Sequence, residues 1–186
     1  MIRLLAAVAV ILPTAALAHP GHGAGLAAGL AHPLTGADHV AAMIAVGLWA
    51  GLKGGRALWL WPASFVAVMI GGAVLGMTQV PLPHVEAMII ASVMVFGLMV
   101  ALAANVATAT GALIVGGFAL FHGYAHGLEL PESAGGAGTL AGFALSTAAL
   151  HGFGVIGARA ARLQPLARAA GLACMALGGV LAVQAI

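Results

Sequence analysis

Residues Ala57–Met77 read ALWLWPASFVAVMIGGAVLGM, an apolar run without one charged side chain. A bilayer hydrocarbon core is about 30 Å thick, and a helix needs about 20 residues to cross it. Lipid offers no partner to backbone polar groups, so an apolar run of this length is a transmembrane helix. The rest of the chain has the same character. Of 186 residues, 63% are hydrophobic and 5% charged, against about 25% charged in an ordinary soluble domain. Twenty-eight glycines suit helices that pack closely in a membrane. Hydrophobicity this high excludes disorder, and no basic patch exists to bind nucleic acid. The single cysteine, Cys174, excludes an intramolecular disulfide and a Cys-rich zinc site.

Clusters of charge, proline and polar residues divide the chain into further spans. These fall at 36–51, 57–77, 85–104, 107–126, 137–158 and 166–185. Ahead of them, Arg3, the apolar stretch Leu4–Leu12, Pro13 and the small residues Ala16 and Ala18 form the pattern of a secretory signal peptide. The expected organisation is therefore a cleavable leader at 1–18, a His-containing periplasmic segment at 19–35, and a six-helix transmembrane domain at 36–186. The fold class is all-α, a polytopic bundle of six transmembrane helices. Three spans in each half would suit a 3+3 inverted repeat, with a His motif in the first span of each. With the mature N-terminus in the periplasm, Lys53, Arg56, Arg159, Arg162 and Arg168 all fall in cytoplasmic loops. Glu86, Glu129 and Glu132 fall outside, as the positive-inside rule requires of a bacterial inner-membrane protein. Trp49, Trp59 and Trp61 flank the first inner loop, where an aromatic belt is expected. Small-xxx-small pairs at Gly47/Gly51, Gly72/Gly76 and Gly123/Gly127 favour tight helix contacts but identify no interface.

Ionisable groups inside so apolar a bundle are expensive and point to function. The first span opens His32-Pro-Leu-Thr-Gly-Ala-Asp38-His39. Pro33 and Gly36 argue for a broken helix, which would let His32 fold back toward Asp38 and His39. Ten residues separate His39 from Trp49, about 15 Å of helix, which puts His39 near the midplane. The fourth span ends Phe121-His122-Gly-Tyr-Ala-His126-Gly-Leu-Glu129. Spacings of four and three put His122, His126 and Glu129 on one helix face. Two imidazoles followed by a carboxylate suit a divalent transition metal. Counted from the inner face, His122 lies deep and His126 and Glu129 lie toward the outer mouth, where Glu86 opens the third span. The expected arrangement is a ladder from Glu129 and His126 through His122 to Asp38 and His39. For His151 a ligand and a packing residue are both open. His84 reads as a contact between helices, Met43 as filler or a soft ligand, and His19 and His22 as an exposed capture site.

The strings HPLTGADHVAAMIAVGLWAG (His32–Gly51) and FHGYAHGLE (Phe121–Glu129) resemble the two signature segments of the HupE/UreJ family. These are bacterial membrane proteins associated with nickel supply to hydrogenase and urease. The resemblance extends over essentially the whole chain. It implies that His32, Asp38, His39, His122, His126 and Glu129 handle metal, that Glu86 corresponds to the family's acidic residue opening the third span, and that the ion is Ni²⁺ or Co²⁺. The expected function is then a permease in the lipid bilayer carrying the ion from periplasm to cytoplasm. It would be no enzyme and would hold no permanent cofactor. The alternative is a bis-histidine haem protein that carries electrons, which leaves Asp38 and Glu129 without a role.

Overall fold

The computed structural model describes residues 25–130, 136–160 and 164–185, all helical or in short connections, with no strand among them. The leader at 1–18, His19 and His22 lie outside these residues. Helix α1 (Leu26–Ala31) runs into a 3₁₀ turn at His32–Leu34. Helices α2 (Ala37–Lys53), α3 (Ala57–Met77), α4 (Val85–Ala101), α5 (Thr108–Glu129), α6 (Gly136–Arg159) and α7 (Gln164–Gln184) follow. Their bounds lie within a few residues of the six apolar runs. By length and composition four of them can cross a membrane, namely α3, α5, α6 and α7 from Pro165. A fifth arises if α1, its turn and α2 count as one broken span, bent by 86°. Helix α4, at 17 residues, is apolar but shorter.

Proline and glycine produce the bend as expected. Pro33 ends the regular hydrogen bonding of the first piece, and Gly36, extended at φ −93° and ψ 117°, caps α2. The first piece packs on α6. There the Gly25 amide donates to Thr139 Oγ1 at 3.0 Å, and Gly29 lies against the Thr139 carbonyl.

Glycine edges decide the helix pairs. Helix α3 packs chiefly on α5, α2 on α6 and α4 on α7. A Cβ at Gly123 would stand 1.9 Å from the Met69 carbonyl oxygen, and one at Gly127 would stand 2.1 Å from that of Ala73. From the other side, a Cβ at Gly72 would stand 2.3 Å from the Leu120 oxygen. The α3 and α5 backbones therefore touch along two turns. Gly47 meets the His151 carbonyl on α6 in the same way, and Gly51 meets Val155 and Ala158.

The charged residues segregate to the two ends. At one end Arg168 Nε donates to the Ala101 carbonyl at 2.8 Å and Lys53 Nζ donates to Asn105 Oδ1. Asp38, Glu86 and Glu129 lie at the other end. Two of the three tryptophans depart from the expected belt. Trp49 and Trp61 are fully buried, with ring centroids 4.3 Å apart. Their indole N–H groups donate to the Ala104 and Thr108 carbonyls, each at 2.8 Å, so they plug the basic end of the bundle. Only Trp59 keeps an exposed ring, under the Arg56 guanidinium. An indole whose N–H finds a carbonyl inside the bundle gains nothing from the interface.

Gly123→Ala should destabilise the protein by about 1–3 kcal/mol, because an added methyl meets backbone that cannot move aside. Gly71→Ala, whose methyl would meet nothing within 4 Å, should leave stability unchanged or raise it by up to about 1 kcal/mol, because alanine is the better helix former. Thermal unfolding of the two variants in detergent measures the difference.

Candidate metal centre

Helices α2 and α5 and the turn before α2 bring four imidazoles into one chain of contacts. His39 lies with its ring centroid 4.8 Å from His122 and 4.6 Å from His126, and His126 lies 5.3 Å from His32. The ladder is thus more compact than its sequence spacing suggests. His39 sits beside both α5 histidines and not on a separate rung below them, because α2 begins only after the break at Gly36. His32 also turns elsewhere than expected. It reaches Glu129, with Nε2 2.8 Å from Oε2, and not Asp38. Ligand atoms of His32, His126 and Glu129 all lie within 4.8 Å of one another, a group that could hold a metal ion. His32 and Glu129 are partly open, at 42% and 59% of the side chain, while His126 is buried.

Hydrogen bonds orient the two deeper rings. Asp38 Oδ1 accepts from the His39 backbone N–H at 2.8 Å and lies 3.0 Å from its Nδ1. A carboxylate only accepts, so in neutral His39 the proton resides on Nδ1 and Nε2 carries the bare lone pair. Gly36 is needed beside this pair, since a Cβ there would stand 2.8 Å from Asp38 Oδ1. The second ring follows the same logic. Ser92 Oγ spends its proton on the Ile89 carbonyl at 2.6 Å and lies 2.8 Å from His122 Nε2. It must therefore accept from an Nε2–H, which leaves Nδ1 bare. His39 Nε2, His122 Nδ1 and His126 Nε2 are all buried without a hydrogen-bond partner among the described residues. Buried polar groups are ordinarily paired. Three unpartnered imidazole nitrogens in adjoining rings, two of the rings held by a partner on the opposite nitrogen, are a donor set that could hold a metal ion.

The sequence pattern described as HupE / UreJ protein matches residues 6–181. The chain belongs to the HupE/UreJ family. It is 46% identical over 179 residues to Protein HupE of Rhizobium leguminosarum bv. viciae, covering 94% of each chain. No solved structure matches it. A multi-pass membrane protein is what this family membership and the apolar helices together establish.

The remaining sequence candidates of this HupE/UreJ chain fall at the margins of the cluster. Glu86 is exposed near the start of α4 and shares with Asp38 a cleft of about 130 Å³ that Ile90 and Gln184 also line. His84, expected between helices, instead caps α4 in an exposed left-handed conformation at φ 61°. His151 is buried on α6, apart from the four-ring chain. Sequence reasoning missed Ser92, the orienting partner of His122, although a lone hydroxyl in the otherwise apolar α4 was a usable signal. It also missed Phe143, whose ring packs on His126 at 4.3 Å and on His32 at 5.2 Å. Nothing in the spacing of an α6 phenylalanine distinguishes it from core.

Ser92→Ala should leave the buried Nε2–H of His122 without an acceptor, at a cost of about 1–3 kcal/mol in stability. Nitrogen-15 spectra of labelled histidine should show the His122 proton fixed on Nε2 in the wild type and mixed between nitrogens in the variant.

Proposed function

We propose that this chain is a permease that moves Ni²⁺, or the similar ion Co²⁺, from the periplasm to the cytoplasm in support of a hydrogenase or urease. The observation that carries the reading is the line of contacting imidazoles from half-exposed His32 to buried His122, flanked by Glu129 and Asp38, with bare nitrogens along it. Imidazole suits nickel and cobalt. A graded series of sites, each able to replace water and none closed around the ion, suits conduction. Glu129 and His32 form the outer mouth, His126 passes the ion to His39, and Asp38 holds the His39 ring and balances the dication's charge.

In this reading α2 to α7 make six crossings, with the basic end in the cytoplasm and the mature N-terminus outside. Helices α2 and α4, at 17 residues, are at the lower limit for a span. A 3+3 inverted repeat is supported by the helix pairing. Exchanging α2 with α5, α3 with α6 and α4 with α7 turns the α3–α5 pair into the α6–α2 pair and leaves α4–α7 unchanged. Among the described residues the α2–α3 and α2–α4 contacts have no counterpart of similar extent between α5 and α6 or between α5 and α7, so the halves differ there.

The ion is cargo, so no resident cofactor and no covalent chemistry are required. The chain carries no Gly-x-x-x-x-Gly-Lys-Ser/Thr nucleotide loop. A membrane potential of about 100 mV supplies about 4.6 kcal/mol to a dication, enough for a gradient of about a thousandfold. The haem alternative fits the geometry poorly. An iron about 2 Å from each of two opposed ring nitrogens would hold the ring centroids roughly 6 Å apart. The edge-to-face contact of His39 and His122 at 4.8 Å leaves no place for a macrocycle between them.

Cells that lack other nickel uptake should accumulate radioactive nickel when they make this protein. His39→Ala and His126→Ala should each lower accumulation by about a hundredfold or more, with the protein still in the membrane. Normal uptake by both variants would remove the histidine line from the path. Histidine ligates only when neutral, and its reference pKa is about 6.5. Half-exposed His32 at the mouth is the ring to protonate, because its hydrogen bond to Glu129 raises its pKa. Uptake should therefore fall as the outer pH drops from about 7.5 to about 5.5, and a flat profile would count against His32 as a ligand during transport.

A further inference from the structure

His151 lies on α6 outside the chain of four imidazoles. It is 1% exposed, and neither Nδ1 nor Nε2 has a hydrogen-bond partner among the described residues. A histidine that merely joins helices does so through a hydrogen bond, and leaving both ring nitrogens unmet in an apolar bundle is costly. The surroundings of His151 connect it to the centre above. The Phe65 ring stands 5.0 Å from His151 and 5.5 Å from His122, touching both. Thr147, one turn before His151 on the same face of α6, places its hydroxyl 3.4 Å from Met43 Sδ and 3.6 Å from Met69 Sδ.

The order of these groups follows from helix direction. Met43 lies one turn beyond His39 toward the basic end of α2. Gly47, one turn further, is where the His151 backbone docks. Passing from His39 and His122 toward the basic end, the next donor atoms are therefore two thioethers and a hydroxyl, and then the His151 imidazole. Met43, Met69, Thr147 and His151 are each at most 1% exposed.

We propose that His151 is a second ligand station for the transported ion, on the cytoplasmic side of the four-histidine centre, with Met43, Met69 and Thr147 lining the passage and Phe65 standing between His122 and His151. The proposal rests on the transport reading. Imidazole is a donor for nickel, thioether is a soft and weaker neighbour, and neither suits hard cations such as Mg²⁺. One imidazole with weak sulfur neighbours holds an ion less firmly than the centre above, which lets the ion leave inward.

The test uses the full chain, purified in detergent and in liposomes. In a Cys174→Ala background, His151→Cys places the sole thiol at the station. Titration with Co²⁺ should then produce the near-ultraviolet thiolate-to-cobalt charge-transfer band, which the background protein lacks. A histidine that only packs would give no band at that position, so Co²⁺ bound without the band overturns the station. In liposomes, His151→Leu should lower the rate of Ni²⁺ uptake at least about tenfold. Its equilibrium Ni²⁺ binding in detergent should stay within about twofold of wild type, because the upper centre is intact. Wild-type uptake by His151→Leu overturns the role on the path even where the band appears. Absence of uptake by the wild-type liposomes would instead overturn the transport reading, while the absorption band would still decide whether the ion reaches position 151.

Discussion

Backbone contact at glycine edges is the constraint on which the rest of this structure depends. Membrane helices gain little from hiding apolar surface from one another, so they associate where their backbones can approach and pack. In α5 each histidine of the pair is followed by a glycine, His122-Gly123 and His126-Gly127. Gly123 and Gly127 seat α5 on the carbonyls of Met69 and Ala73 in α3. The adjoining edge of α5, about 100° around the helix, then presents both histidines to His39 on α2. Filling the glycine edge would push α5 away from α3 and disturb a site that the glycines themselves never touch.

The second principle is that His39 and His122 each have one nitrogen assigned and one left bare. Asp38 holds Nδ1 of His39, and Ser92 holds Nε2 of His122. A neutral imidazole has one donor and one acceptor, so binding the donor fixes where the lone pair points. The partners differ in kind. The carboxylate of Asp38 adds charge beside the His39 ring, whereas the Ser92 hydroxyl only orients the His122 ring. The site therefore becomes less charged with depth, from the Glu129 carboxylate at the mouth to fully buried His122.

The two ends of the bundle are built differently. At the carboxylate end the helix break at Pro33 and Gly36 opens the ring of spans and lowers His32 into it. At the basic end the tilted pair Trp49 and Trp61 closes it, their indole N–H groups tied to Ala104 in the loop between α4 and α5 and to Thr108 at the start of α5. Lys53 also holds this loop, through Asn105.

By itself the sequence determined the membrane class, the helix bounds to within a few residues, the break at Pro33 to Gly36, the segregation of charge, and both histidine motifs. All of these depend on local composition or on spacing along one helix. Tertiary structure alone decided which of many small-residue pairs are contacts, because each needs a matching edge on a helix far away in the chain. It also decided that His32 meets Glu129 rather than Asp38, since the direction taken after a helix break depends on where α1 docks on α6. The same holds for Ser92, the buried tryptophans and the unpartnered nitrogens of His151. In each case the informative atom is a partner, or a missing one, across the bundle, and periodicity along a single helix carries no record of it.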